Sequence, residues 1–154
     1  MVVRWMGLMD ANSAGYVHGG TVMKLCDEVA GLAAVKHSRR RVVTAGMDRM
    51  TFLEPIRIAE LVTFTASVNA AWRSSMEVGV RVVAEQPRDG TSRHTNTAYL
   101  TMVALDDDGR PTEVPPLLAE TDAERRRERE AQTRRRNRLA ERDELQRLRA
   151  AEDA

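Results

Sequence analysis

Cysteine and long apolar runs are scarce in this chain of 154 residues, and their scarcity excludes several classes of protein. Cys26 is the only cysteine, which excludes a disulfide framework and a cysteine-based zinc site and is typical of a reducing compartment. The longest uncharged apolar stretch, residues 29–35, is far shorter than the roughly 18 residues of a membrane span. Residues 1–12 lack the apolar segment of a signal peptide. The sequence therefore predicts a soluble cytoplasmic protein that does not bind a membrane.

An excess of charge of one sign is also missing, because 24 basic and 23 acidic residues give a formal net charge of only +1. This balance argues against a strongly basic nucleic-acid-binding protein. The charges are nevertheless unevenly placed. Residues 1–118 carry 13 of each sign, whereas the last 36 residues carry 11 basic and 10 acidic side chains. We therefore predict one folded domain over residues 1–116 and a charged segment, either a helix or a partly disordered tail, over residues 117–154.

The hydrophobic periodicity of the first domain changes once along the chain. A short strand is predicted near residues 2–8, followed by a long, mostly apolar helix from Gly20 to about His37. The period then becomes 2, which predicts four further strands, near residues 42–52, 62–69, 76–84 and 97–104. This pattern predicts an α+β fold in which a single antiparallel sheet curls around the helix and buries it.

The charged segment has high helix propensity, since it contains no glycine or proline after Pro116. Acidic-then-basic pairs four residues apart would stabilise a solvated helix by about 0.3 kcal/mol each. Leu139, Leu145 and Leu148 form only a broken apolar stripe, which does not predict a coiled coil. We expect a solvated helix or partly disordered extension. Packing between subunits is the main alternative, and RNA binding through the arginine triplets is a minor one because glutamates are interleaved.

Asp27 is the first candidate for chemistry. It lies two turns into the predicted helix, and its neighbours on that helix face are uncharged. A carboxylate in such a place costs free energy unless it is paired or functional. An ion pair with an arginine, a cap for a nearby loop and a catalytic role would each explain it.

The segment before the helix supplies further candidates. Asn12 lies in a polar turn, where ordinary turn or cap chemistry is its commoner use. His18, Gly19 and Gly20 open the helix, where two glycines allow close approach of a ligand and free N–H groups attract developing negative charge. A tight turn explains the two glycines equally well. The histidines show no metal-ligand spacing, so no metal is predicted.

Taken in order, motifs at residues 12–20, 27–28, 42–45, 50–55 and 74–78 resemble those of the hotdog-fold acyl-CoA thioesterases, namely the cytosolic acyl-CoA hydrolase family and its bacterial single-hotdog relatives. The resemblance implies a long helix wrapped by a five-stranded antiparallel sheet. It also implies a homodimer with active sites at its interface, assembled further into a trimer of dimers, which is a hexamer. The implied reaction is hydrolysis of medium- to long-chain fatty acyl-CoA to free fatty acid and coenzyme A. No cofactor is implied, since coenzyme A is part of the substrate.

The resemblance also assigns roles. Asp27 takes the position of the catalytic carboxylate, acting as general base or as nucleophile, and Asn12 that of its catalytic partner from the other subunit. Backbone N–H groups near Gly19 and Gly20 are expected to stabilise the oxyanion. The substrate-binding residues are expected to be His18, Thr44, Phe52, Arg73, Ser74 and Ser75.

This chain departs from the family pattern at two turns, with Ala59-Glu60 where Gly-Asp is common and Arg73-Ser74 where Gly-Thr is common. Two other functions stay open. A non-catalytic hotdog protein that binds or senses acyl-CoA would need neither Asn12 nor Asp27. A hotdog dehydratase or hydratase acting on 3-hydroxyacyl or enoyl thioesters would pair His18 with Asp27.

Overall fold

The computed structural model describes residues 1–152, so the last two residues of the predicted charged segment lie outside the described residues. In chain order the elements are β1 (Val2–Trp5), a 3₁₀ turn (Leu8–Asp10), α1 (Gly19–Ser38), β2 (Arg41–Phe52), β3 (Leu61–Ala71), β4 (Ser75–Glu85), β5 (Ser92–Leu105) and α2 (Asp122–Glu152). The strands form one antiparallel sheet in the order β1-β3-β4-β5-β2. The predicted α+β architecture, with a helix against a five-stranded antiparallel sheet, is confirmed.

The first strand is shorter than the sequence predicts, ending at Trp5 instead of continuing to residue 8. The reason is a tight turn in which the carboxylate of Asp10 accepts a hydrogen bond from the Gly7 N–H at 2.9 Å. Arg4 pairs with the same carboxylate at 3.2 Å. This turn redirects the chain toward the start of α1.

The hydrophobic core lies between α1 and the inner face of the sheet. Alternate residues of the central strands point inward, and Phe64, Met76 and Leu100 are fully buried there. Cys26 of α1 packs among them, and burial raises the pKa of its thiol to about 12. The thiol therefore stays protonated at neutral pH, as expected of a core residue and not of a nucleophile.

Apolar side chains are exposed at two places next to this core, one on α1 and one on β2. On α1, Leu32 is 63% exposed and its neighbour Val35 is 43% exposed. Strand β2 is an edge strand that pairs only with β5, so its outer edge has no strand partner among residues 1–152. Val43 on this strand is 45% exposed. A long edge strand beside exposed apolar side chains is typical of a surface that another chain covers.

Helix α2 crosses the outer face of the sheet. Ala131 is fully buried, and Arg134 donates hydrogen bonds of 2.6 and 3.0 Å to the two carboxylate oxygens of the fully buried Glu77. The guanidinium of Arg134 also lies 3.7 Å from the centre of the Tyr99 ring. Among residues 1–152, neither helix is long and apolar enough to span a membrane.

Ala59 has an unusual backbone conformation, with φ at 68° in the left-handed region. At this position, glycine is common in the thioesterase family that the sequence resembles. Because a Cβ atom is disfavoured there, we expect Ala59→Gly to raise the free energy of unfolding by up to about 1 kcal/mol. Urea denaturation measures this change. Ala33→Gly within α1 is the control and should lower stability by about 1 kcal/mol; a loss of stability in both variants would contradict the strain at residue 59.

Candidate active site

Asp27 lies on the sheet-facing side of α1, next to Thr44 on β2. The Thr44 hydroxyl donates a hydrogen bond of 2.5 Å to Asp27 Oδ1. Within residues 1–152, Asp27 forms no ion pair, and its Oδ2 atom has no hydrogen-bond partner. The side chain is partly buried. The carboxylate is therefore oriented by one neutral donor and keeps one oxygen free for a ligand or water.

Asn12 stabilises the loop that leads into α1. Its side-chain Oδ1 accepts hydrogen bonds from the backbone N–H groups of Ala14 at 2.9 Å and Tyr16 at 3.1 Å. Because both partners are donors, the accepting atom must be the oxygen. The Nδ2 group of Asn12 has no partner among residues 1–152. The loop thus fixes the side chain while leaving its amide donor available.

The start of α1 is capped by His18, whose Nδ1 accepts the Gly20 N–H at 2.9 Å. Of the two glycines predicted to stabilise an oxyanion, Gly20 therefore already has a hydrogen-bond acceptor. The Gly19 N–H has none within the described part of the chain. Because this N–H stands at the positive end of the helix dipole, Gly19 is the better placed of the two donors.

A cavity of about 340 Å³ lies beside the start of α1. Two of its walls approach closely, since a Cβ atom on Gly19 would meet the Phe52 ring at 3.4 Å. The cavity brings together three of the predicted site residues, Asn12, Gly19 and Phe52. Its remaining lining is largely apolar: Tyr16, Val17, Val22, Leu53, Glu54, Pro55 and Ile56.

Asp27 and Thr44 do not reach this cavity in the same chain. Asp27 follows Gly19 by eight residues of helix, which is about 12 Å at the usual rise per residue. His18 precedes Gly19, so one chain does not bring His18 and Asp27 together as an acid–base pair either. The single chain therefore separates the predicted site residues into two candidate half-sites, one with Asn12 and Gly19 and one with Asp27 and Thr44.

The turn at residues 73–75 is at the far end of the sheet from the cavity. The carbonyl of Ser74 accepts a hydrogen bond of 3.0 Å from Ala104 N of β5, and the carbonyl of Arg73 accepts one of 3.0 Å from Val114 N in the segment after β5. Ser75 precedes the inward-facing Met76, so strand alternation directs its side chain to the outer face. Within one chain, Ser75 therefore faces away from Asp27, and a role for residues 73–75 in substrate binding stays a prediction.

A buried ion pair that the sequence did not reveal supports one wall of the cavity. Arg93 donates to both oxygens of the fully buried Glu60, at 2.7 and 2.9 Å, and to the carbonyl of Pro55 at 2.6 Å. Burial opposes ionisation of Glu60, but the hydrogen bonds from Arg93 and from the Arg57 N–H outweigh it and lower the pKa. The departure at Ala59-Glu60 was the only sequence signal for this arrangement.

Comparison with known proteins gives one consistent family. The profile of the thioesterase superfamily matches residues 14–91. The uncharacterized acyl-CoA thioester hydrolase YkhA of Bacillus subtilis is 39% identical over 116 residues, which are 75% of this chain and 67% of YkhA. The cytosolic acyl coenzyme A thioester hydrolase of Rattus norvegicus is 35% identical over 128 residues, or 82% of this chain. This chain spans about a third (34%) of the rat protein's length.

Solved structures agree. An acyl-CoA hydrolase from Staphylococcus aureus, in complex with butyryl coenzyme A, coenzyme A and coenzyme A disulfide, has a TM-score of 0.88 and 35% identity, covering 96% of this chain and 90% of that chain. A hexameric acyl-CoA thioesterase also has a TM-score of 0.88, with 34% identity over 91% of this chain and 90% of its own.

Three solved variants of the Staphylococcus aureus enzyme replace an asparagine, an aspartate or a threonine with alanine. In that enzyme the asparagine precedes the aspartate by 15 residues and the threonine follows the aspartate by 17. Asn12, Asp27 and Thr44 have the same spacings in this chain. Three residues of the two candidate half-sites thus have the same spacing as the positions that were substituted in that relative.

Proposed function

Because this chain belongs to the thioesterase superfamily, has the hotdog fold and is an acyl-CoA thioester hydrolase, we propose that it cleaves medium- to long-chain fatty acyl-CoA with Asp27 as its reactive carboxylate. The observation that carries this proposal is the Asp27–Thr44 hydrogen bond of 2.5 Å, which orients a carboxylate that has no cationic partner within residues 1–152. Such a carboxylate is available to act on a water molecule or on the thioester itself.

We place each active site between two chains. Gly19 and Asp27 of one chain are about 12 Å apart along α1, too far to act on a single carbonyl group. A complete site therefore takes Asn12 and Gly19 from one subunit and Asp27 and Thr44 from the other. The exposed edge of β2 and the exposed apolar side chains of α1 support a dimer in which these half-sites meet.

The proposed chemistry needs neither metal nor cofactor. Asp27 removes a proton from water, whose oxygen attacks the thioester carbon, and the carbonyl oxygen becomes an oxyanion. The Gly19 N–H and the Asn12 Nδ2 group donate hydrogen bonds to that oxyanion. When the tetrahedral intermediate collapses, the carbon–sulfur bond breaks. Coenzyme A departs as a thiolate, which is a good leaving group without strong acid catalysis, and takes up a proton to give the thiol.

Direct attack by Asp27 is the alternative route, and it forms an acyl–aspartyl anhydride before hydrolysis. The two routes differ in the origin of the new oxygen in the fatty acid. In a single turnover in ¹⁸O-water, general-base catalysis labels the fatty acid, whereas hydrolysis of an anhydride at its aspartyl carbon labels Asp27.

The acyl chain fits the cavity beside α1. Its volume of about 340 Å³ lies near the lower end of the roughly 300–1,000 Å³ typical of small-molecule sites. Apolar side chains line most of it and would bury successive methylenes at about 0.8 kcal/mol each. His18, Thr44, Phe52, Arg73, Ser74 and Ser75 remain our proposed substrate-binding residues.

We further propose that the dimers assemble as a trimer of dimers, supported by the hexameric state of a structural relative. A cytoplasmic location and the absence of a cofactor and of nucleic-acid partners likewise remain predictions.

A panel of acyl-CoA substrates from butyryl to stearoyl tests this function. We expect thiol release at least about 100-fold above the uncatalysed rate, with kcat/KM rising from butyryl to medium and long chains as more methylenes are buried. Release is followed with an aromatic disulfide reagent.

The same panel separates the other two functions. Tight binding of acyl-CoA without thiol release would contradict the hydrolase and support a sensor. Hydration of an enoyl-CoA faster than its hydrolysis would support a hydratase. A preference for butyryl-CoA would contradict only the proposed chain length.

A further inference from the structure

Helix α2 continues well past the edge of the sheet that it covers. Arg138 forms a salt bridge with Asp48 on the edge strand β2, so the helix has reached the edge at that residue. Thirteen more helical residues lead to Ala151, a length of about 20 Å. Every residue from 140 to 151 is exposed. Within the described chain this part of the helix therefore covers nothing.

The face of α2 that contacts the sheet also continues past the edge. Ala131, Arg134 and Arg138 contact the sheet or its strands at spacings of three and four residues, which places them on one side of the helix. Leu145 lies two turns after Arg138 on that same side, and Leu148 is its neighbour one turn later. These leucines are 46% and 54% exposed. Because exposed leucines lie at the end of this contact face, we expect another surface to cover them in the assembled protein.

We infer that residues 139–151 of α2 pack on the outer face of the sheet of a second copy of this chain. This inference rests on the dimer of the proposed function, in which the second sheet is added at β2. Neighbouring strands lie about 4.8 Å apart, so 20 Å of helix reaches across about four strands of the added sheet. Twofold symmetry makes the contact reciprocal, so that each α2 binds both sheets.

The position of β2 is what selects a second copy as the occupant. Within residues 1–152, the uncovered helix face begins where the unpaired edge of β2 begins, so one added sheet would cover both surfaces. The strand's backbone donors and acceptors pair with the incoming strand, while Leu145 and Leu148 are removed from water above it. A peptide or an unrelated protein would have to match both surfaces separately.

The test is a pair of double variants on opposite sides of the same helix segment. Leu145→Glu with Leu148→Glu places two charges on the proposed contact face, and Ala140→Glu with Ala150→Glu places two charges on the far side. All four positions are exposed, so both variants should keep the helical content of the wild type in circular dichroism. We expect the dimer dissociation constant, from analytical ultracentrifugation, to rise at least about 10-fold in the leucine variant only.

Hydrogen exchange gives a second readout. Amides of residues 139–151 should exchange more slowly in the assembled wild type than in the leucine variant. A multimeric wild type with unchanged dissociation in the leucine variant would overturn the role of α2 and leave the β2 dimer standing. An equal effect of both variants would also overturn it. A wild type that hydrolyses acyl-CoA as a monomer would instead overturn the shared active site itself.

Discussion

Replacing Asp27 with asparagine is expected to lower kcat/KM for acyl-CoA hydrolysis by at least about 100-fold, the usual scale for loss of a general base. The substitution keeps the side chain's size and a hydrogen-bond acceptor for Thr44, but it removes the charge that draws a proton from water. The initial rate of thiol release, measured over a range of substrate concentrations, gives this change in kcat/KM. Glu28→Gln is the matched control, because Glu28 is the next residue and, in the part of the chain that the structure describes, forms only an exposed pair with Lys24 at 3.8 Å. It should leave kcat/KM unchanged.

Asn12→Ala should lower kcat/KM by a similar factor, and the two variants together test the division of the site between chains. If Asn12 and Asp27 act from different subunits, a dimer of one Asn12→Ala chain and one Asp27→Asn chain contains one intact site. Random co-assembly of the two inactive chains should then restore about one quarter of wild-type activity. No recovery, with mixed dimers present by native mass spectrometry, would show that the site lies within one chain. Near-wild-type turnover by folded Asp27→Asn would contradict the mechanism.

The second large effect concerns the anchor of α2. Arg134→Ala removes all three hydrogen bonds from Arg134 to Glu77, a carboxylate with no exposed surface. Because this leaves a buried charge without a cationic partner, we expect the free energy of unfolding to fall by about 3 kcal/mol. Chemical denaturation at neutral pH measures the loss. Arg136→Ala is the control, since Arg136 is exposed and, among the described residues, donates a hydrogen bond only to the Thr133 hydroxyl. It should change stability by less than about 0.5 kcal/mol.

A combined variant separates pairing from packing. Arg134→Met with Glu77→Leu replaces both charges by apolar groups of similar length, so it should recover most of the stability lost in Arg134→Ala. If it does not, the remaining loss comes from outside the ion pair, namely from the stacking of Arg134 on Tyr99 and from the hydrogen bond that the buried Asn69 donates to Glu77 at 3.0 Å.

The sequence was sufficient for the fold because its periodicity is clear. Alternation at residues 76–84 placed Met76 and Val80 on the inner face, and both are buried. The helix limits were close, since α1 runs from Gly19 to Ser38 against the predicted span from Gly20 to about His37. These features depend on local pattern, which a single sequence contains in full.

Long-range pairing was not accessible in the same way. The charged segment gave no sign that Arg134 would meet Glu77, because 57 residues separate them and nothing local links their charges. The hydrogen bond from Thr44 to Asp27 was likewise unpredicted, although both residues were candidates. Which half-site each residue joins depends on distances along α1 and across the sheet, and these appear only once the elements are placed.

The burial of Cys26 protects the enzyme from covalent modification by its own oxidised product. Each turnover releases coenzyme A, a free thiol that oxidation converts into a disulfide, and such disulfides exchange with reactive protein thiolates. This chain offers them none, because its single cysteine is inaccessible and its pKa of about 12 keeps the thiol protonated. Oxidised product can therefore accumulate around the enzyme without becoming covalently attached to it.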